Sequence, residues 1–403
     1  MRSDQTEKAR ISEHVTHTVR CIRRSNKIVG FAHIVRFAPR TQRSGAVSNI
    51  VKEHLFIRYI FGGNKVEKNK FEKFKQNPIV KKIGFNRIVL LCVMVLLYLL
   101  FALITPMIKA NANFVSFARI LSLLKYAYFM GFLSLGVTFV IATGGIDFSI
   151  GPVMFCGALI SGYLLTSKGW PLALCLLICI LVGTAFGVLN GVLVSYAGLP
   201  SFITSMASMM LAKGIGSIFT KTQSVSWPQA GDPNGWFRNF VGIKVGTVEI
   251  PTGLFILLLA AIICAVILNK TMIGRYILSI GSNREAVRLS GVNTKKWETL
   301  AYVICGTLAG IAAIFYVAKN TTVLPGLGDT FNNEAIAGCV MGGTSMTGGV
   351  ASIGGTLIGV LIIALLQEGI MAMGFQINYQ YIITGLIVLT VVYADLRSRN
   401  RRS

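Results

Sequence analysis

The chain has 403 residues, 53% of them hydrophobic and only 13% charged, with a mean hydropathy of +0.66. A soluble domain carries about 25% charged residues, so a soluble fold is excluded in favour of a polytopic membrane protein with room for roughly ten spans of about 20 residues. The net charge of +24 is unevenly placed: residues 1–82 hold 19 Lys+Arg against 6 Asp+Glu and all four histidines (His14, His17, His33, His54), which leaves no histidine for a metal site or a His-based catalytic group in the membrane.

Residues 1–65 are basic, rich in Ser, Thr and Arg, and without apolar periodicity. Two readings stay open: an extension of low order, or a segment upstream of a start at Val66, to be separated by N-terminal sequencing of the native product. A nucleic-acid arm is disfavoured, because no aromatic-basic module accompanies the charge. No secretory signal is visible in residues 1–82, so the first span directs insertion.

From Arg87 onward apolar runs follow closely. The first span is expected at 86–108, and 113–124 reads as a separate amphipathic, interfacial stretch. Further spans are expected near 125–145, 149–167, 171–196, 201–220, 251–269, 297–318, 333–346, 353–373 and 377–394. That makes ten, the eighth short, Gly-rich and either broken or re-entrant, which is acceptable only where protein buries it. Lys81, Lys82 and Arg87, the loop 270–296 with its six Lys and Arg, and the tail with Arg397, Arg399, Arg401 and Arg402 fall on one side for ten spans. The positive-inside rule makes that side the cytoplasm. The opposite loop 221–250 carries Trp227 and Trp236 as interfacial anchors.

Two segments interrupt the helical pattern with glycine pairs: Thr143 to Gly151 and Gly342 to Gly349. Consecutive glycines permit positive φ and a tight reversal. Asp147 and Ser149 are expected to cap the following helix, with contact to a transport path or a motor as the alternative; Thr344, Ser345 and Glu334 share that second reading. The stripes Gly183/Gly187/Gly191, Gly306/Gly310 and Gly355/Gly359 let helix backbones approach closely, and say nothing about solute. Of the carboxylates near the membrane, only Glu368 is flanked by apolar sequence on both sides. A carboxylate at bilayer depth costs at least about 2.5 kcal/mol, and a proton- or sodium-driven carrier is expected to place several there. Seven of the eight cysteines lie in apolar runs and read as small hydrophobes.

The loop 270–296 holds Gly281-Ser-Asn-Arg284-Glu285-Ala286-Val-Arg288-Leu289-Ser290-Gly291, charged and helix-capable between two apolar runs. No G-x-x-x-x-G-K-[ST] phosphate loop exists in the chain, and no Ser-His-Asp or Cys-His set can be built without membrane histidines. No catalytic or metal residue is therefore assigned. The residues alone describe a multi-helix transporter whose force comes from outside, with a stand-alone channel or secondary carrier as the rival.

From about Val66 to the end the chain resembles the permease subunits of ABC importers for simple sugars, the ribose and galactoside permease family. Seven motifs coincide in order: Thr143 to Gly151, Leu199-Pro-Ser-Phe-Ile-Thr204, Ile273-Gly-Arg275, Gly281 to Gly291, Glu334-Ala-Ile-Ala337, Gly342-Gly-Thr-Ser345 and Tyr379-Gln-Tyr-Ile-Ile383. The resemblance implies an all-α permease in a bacterial-type inner membrane with both termini cytoplasmic. Two such subunits, identical or sister, would line one path. Two cytoplasmic ATP-binding subunits would use ATP and Mg, none of it bound by this chain, and a soluble sugar-binding protein would dock outside. The same resemblance implies that 284–291 is the coupling helix, with Arg284, Glu285 and Arg288 as charged contacts and Gly291 as its turn. A permease for nucleosides or another small polar solute is the alternative. The chain departs from the family's pattern before Glu334, where Asn332-Asn333 replace Glu-Leu and Glu334 itself stands for an aspartate, so no solute is inferred from that segment.

Overall fold

A computed structural model describes residues 85–390, except 110–112, 247, 377 and 387–388. The basic segment 1–65, the lysines 81–82 and the Arg-rich tail lie outside the described residues. The helices are α1 (Phe85–Ile108), α2 (Phe117–Ala142), α3 (Ile150–Lys168), α4 (Leu172–Ser195), α5 (Ser201–Phe219), α6 (Thr252–Lys270), α7 (Met272–Leu289), α8 (Thr294–Lys319), α9 (Asp329–Met341) and α10 (Ile353–Ala372). Residues 378–386 are helical as well. Four short strands form two two-stranded sheets: β1 (Val225–Ser226) pairs antiparallel with β4 (Thr322–Val323), and β2 (Ile243–Val245) with β3 (Val248–Ile250). Among the described residues eight helices are long and apolar enough to cross a membrane: α1 to α6, α8 and α10. The fold is an all-α polytopic membrane bundle.

Local chemistry explains the helix starts. Pro171, Pro200 and Pro251 immediately precede α4, α5 and α6, where a missing N–H costs nothing. Ser116, Asn293 and Ser352 cap α2, α8 and α10 by accepting from Arg119, Lys296 and Gly355 backbone N–H groups. Helix α2 is continuous from Phe117, so the separate interfacial stretch expected at 113–124 is corrected. Its last eight residues are its first two turns, held in line by the Ser116 cap.

The core is built around α2, which is buried without interruption from Tyr126 to Ala142. A helix apolar all round belongs inside a bundle. By contrast α1, α5 and α6 expose Leu96, Leu103, Ile218, Phe255 and Ile262, as lipid-facing or subunit-facing helices do. Helices α4 and α8 pack backbone to backbone. A Cβ on Gly187 would lie 3.1 Å from Val303 Cα and 3.2 Å from Gly306 Cα, and one on Gly191 only 2.9 Å from Thr299 Cα. Gly183 faces Gly306 and Gly310 in the same seam. The Thr184–Thr307 hydroxyl pair at 2.9 Å adds polar glue. A second seam joins α9 to α10, where Gly338 and Gly342 meet Gly359 and Gly355.

Helix α9 is the short eighth span, and its re-entrant course can be traced along α3. Val225, the β1 partner of Val323, sits where a Cβ on Gly162 would be. Gly328 lies against Gly151. Eleven helical residues separate those two levels on α3, roughly 16 Å at 1.5 Å per residue. The chain therefore drops from β4, through a turn at Pro325 and Gly326, to the level of the α3 N-terminus before α9 begins. Backbone at that depth needs internal partners. Asn332 supplies them: its Oδ1 accepts from Gly151 N at 2.7 Å, and its Nδ2 donates to the Phe148 carbonyl at 2.5 Å.

Trp227 corrects one expectation. It is not an interfacial anchor but is 2% exposed. Its Nε1 donates to the Ala158 carbonyl at 3.2 Å, and its ring fills the space left by Gly162. Trp236 is exposed. The six described cysteines other than Cys92 are buried, and all seven are free thiols.

Candidate functional site

At one end of the bundle three glycine segments converge. The Gly349 N–H donates to the Ala142 carbonyl at 3.0 Å, which joins the turn after α9 to the turn after α2. Gly348 stands at φ +81°, and a Cβ there would lie 2.8 Å from both Gly144 N and Gly281 Cα. A Cβ on Gly281 would come within 2.5 Å of Gly349 N. Two turns far apart in sequence and α7 thus share one backbone joint with no room for side chains. Thr344 and Ser345 are buried in the second turn. The Thr344 hydroxyl accepts from Ser352 N at 3.3 Å, and Ser345 N donates to the Val350 carbonyl at 2.9 Å.

Helix α7 breaks immediately beyond that joint. Asn283 has φ −159° and ψ 95°, extended rather than helical. Its Oδ1 accepts from Ala286 N at 3.0 Å and so caps a second short helix, which runs to Leu289 and turns at Gly291, φ +83°. On this piece Glu285 and Arg288 pair with each other, at 2.5 and 3.0 Å, with both side chains over 60% exposed. Arg288 holds the Glu285 carboxyl below the ordinary carboxylate value. Leu289 beside them is 74% exposed, and Ser290 donates to the Val287 carbonyl. Arg284 is engaged elsewhere: it bonds Glu298 of α8 at 2.9 Å and ties the short helix to the bundle. The free face is therefore Glu285, Arg288 and Leu289.

Deeper in the bundle the first glycine turn ends in a buried polar knot. Asp147 accepts from Ser149 N at 2.8 Å and from Ser149 Oγ at 2.6 Å, with Asn190 Nδ2 at 3.5 Å. Asn190 Nδ2 also donates to Ser149 Oγ at 2.9 Å, and Ser208 donates to its Oδ1. Ser149 makes no side-chain cap to α3, which corrects the expected cap. Its hydroxyl is spent on Asp147, and the two close a local turn that pins α3, α4 and α5 together.

At the other end, beside the strands, α2, α8, α9, α10 and the helical segment from residue 378 surround a cavity of about 280 Å3. Glu334 reaches it from α9, where Tyr126 donates to its carboxylate and Gln380 Nε2 donates to it at 3.1 Å. Lys319, the last residue of α8, lies over the Tyr126 ring at 4.9 Å and the Phe129 ring at 5.8 Å. Glu368 is held by Ser122 at 2.5 Å and Arg119 at 3.6 Å. Asp147, Glu334 and Glu368 are all at most 4% exposed, so Glu368, flanked by apolar sequence on both sides, is not alone in being buried. Folding back the broken segments takes the other two inside.

Asn190, Lys213 and Lys319 went unnoticed in the sequence, and Asn332 stood out only as a departure from the family's pattern. Carboxylates do not reveal them; the lysines inside apolar runs, Lys125, Lys213 and Lys319, are the signal. Lys213 pairs with Asp329 across α5 and α9, and Lys125 with Glu249 at 2.5 Å. Nothing in the sequence pattern marks Asn332 as the partner of a broken backbone.

The architecture is that of a multi-pass membrane transport bundle with a short, charged helix held out at one end and a polar-aromatic cavity at the other. Residues 119–392 match the family described as branched-chain amino acid transport system / permease component, and the chain belongs to that family. It is 31% identical over 298 residues to the ribose import permease protein RbsC of Escherichia coli (strain K12), covering 73% of this chain and 91% of that protein. It is 32% identical over 297 residues to the RbsC protein of Bacillus subtilis (strain 168), covering 73% and 90%. It is 34% identical over 262 residues to the fructose import permease protein FruF of Bifidobacterium longum (strain NCC 2705), covering 64% and 72%. No solved structure matches the chain.

Proposed function

We propose that this chain is the membrane-spanning permease of an ATP-driven importer of a small sugar, a pentose or hexose. The observation that carries the reading is the short helix Arg284–Leu289. It is capped by Asn283, rooted through Gly281 in both glycine turns, and presents an exposed Glu285–Arg288 pair and Leu289. An exposed charged pair beside an apolar side chain fits a docking surface that fixes register. A separate subunit that hydrolyses ATP with Mg would seat that helix in a cleft, and closure of the cleft would pull on the joint. The α7 end is then cytoplasmic and the strand end faces a sugar-binding protein outside. A second copy or a sister subunit completes the path. The names of the relatives, ribose and fructose import permeases and a xylose transport system permease, support a sugar as solute.

The test is to copurify the chain with its partners and to measure uptake of a panel. The panel holds ribose, xylose, fructose, a nucleoside and a branched-chain amino acid, each with and without ATP. ATP-dependent uptake of a sugar is expected. Uptake of the nucleoside or amino acid alone would reassign the solute, and ATP-independent uptake by this chain alone would replace the importer with a carrier or channel.

A further inference from the structure

The cavity at the strand end has the chemistry of a site rather than of a packing defect. One side is aromatic. Phe129, Tyr316 and Phe331 meet edge to face with centroids 5.4 to 5.9 Å apart, and all three line the space. The other side is polar: the Glu334 carboxylate, the Gln367 amide and the Lys319 ammonium line the same space. Lys319 has no carboxylate within ion-pair distance among the described residues, and Gln367 Oε1 is buried without a hydrogen-bond partner. Among the described residues Lys319 thus has only aromatic faces beside it and the Gln367 amide keeps an unpaired oxygen, and a buried polar atom left unmade costs more than a made hydrogen bond returns.

The composition of the wall narrows the ligand. One carboxylate and one ammonium balance, so neither an anion nor a cation is favoured. A ring with apolar C–H faces and a rim of hydroxyls matches aromatic walls facing acceptors and donors. At about 280 Å3 the space lies below the roughly 300–1,000 Å3 of sites for drug-sized ligands, so one small ring fits and a disaccharide does not.

We infer that the permease itself holds a monosaccharide here during passage, with Glu334, Gln367 and Lys319 bonding the hydroxyls and Tyr316 and Phe331 facing the ring. This rests on the sugar-import reading above, and it adds that solute choice is shared between the permease and the binding protein. Tyr381, 43% exposed at the rim, guards the opening.

The test compares wild type, Gln367→Ala and Tyr381→Leu in the assembled importer at matched membrane levels. The expected result for Gln367→Ala is a KM for the imported sugar raised roughly three- to tenfold, the scale of one lost hydrogen bond, with the pentose-to-hexose preference shifted. An unchanged KM and preference in both variants would overturn the inference while the import function stands. Wild type that imports no sugar would overturn the function reading first, and the inference with it. A second measurement does not depend on those variants folding: Thr330→Cys, in a Cys21→Ser, Cys92→Ser background, is labelled with a thiol reagent. The imported monosaccharide should slow labelling at least about twofold and a disaccharide should not. Labelling indifferent to the monosaccharide would overturn the site.

Discussion

The two ends of the bundle are built from opposite materials. At the α7 end the contacts are backbone to backbone: Ala142 with Gly349, Gly348 with Gly144 and Gly281. At the strand end the contacts are side chain to side chain: Tyr126 and Gln380 on Glu334, Lys319 over Tyr126. A backbone joint has no rotamers to adjust, so a displacement of α7 must move both glycine turns. A side-chain site can be retuned one group at a time without moving the helices. On the function proposed above, the difference separates the part that would transmit force from the part that would meet the solute, and substitutions at the two ends should fail in different ways.

The largest effect is expected at the joint. Gly281→Val places a branched side chain against Ala142 O and Gly349 N. Overpacking of this kind costs about 1–3 kcal/mol, and here the crowded atoms are backbone. Uptake should fall to background and the melting temperature should drop. A variant that keeps the wild-type melting temperature and uptake would show that the joint is looser than described. Gly291→Ala, strained only by its positive φ and otherwise in open space, should be milder by the same two measures.

Next in size is the docking face. Glu285→Ala with Arg288→Ala should leave the helices inserted and uncouple transport, because among the described residues the two side chains bond only to each other. Normal ATPase association with normal uptake would sink the assignment. Since Arg288 holds the Glu285 carboxyl low, the pair stays charged as pH falls to about 5 and is lost only below the ordinary carboxylate range. Coupling should therefore be flat from about pH 8 to 5, and a loss of coupling near neutrality would point to a group other than this one.

The energy source comes third. Uptake by the assembled importer should need ATP and survive collapse of the proton gradient at constant ATP. The three buried carboxylates make this test more pointed than the sequence suggested, because a carrier could use them. Gradient-driven uptake by this chain alone in ATP-free liposomes would favour the carrier.

The smallest effect is expected from residues 1–65, which lie outside the described residues. Removal of residues 1–65 should leave uptake unchanged, since Lys68, Lys70, Lys73, Lys75, Lys81 and Lys82 remain ahead of the first span. Those lysines also attract anionic headgroups, at about 1 kcal/mol each near the surface. Loss of insertion at matched expression would give the extension a role.

By itself the sequence determined the all-α membrane class, eight of the ten spans, the two glycine turns and the short charged segment after Gly281. These are local: a run of apolar residues, a glycine pair or an ion pair three residues apart acts within its own helix or turn, where periodicity and φ preference are decisive. Tertiary structure alone decided that the two turns meet each other at α7, and that Arg284 faces inward to Glu298 while Glu285 and Arg288 face out. It alone buried Trp227 against Gly162 and brought Glu334 from α9 to Tyr126 on α2. Each joins residues distant in the chain, and their pairing depends on how broken helices fold back, a choice set by where buried backbone finds partners such as Asn332.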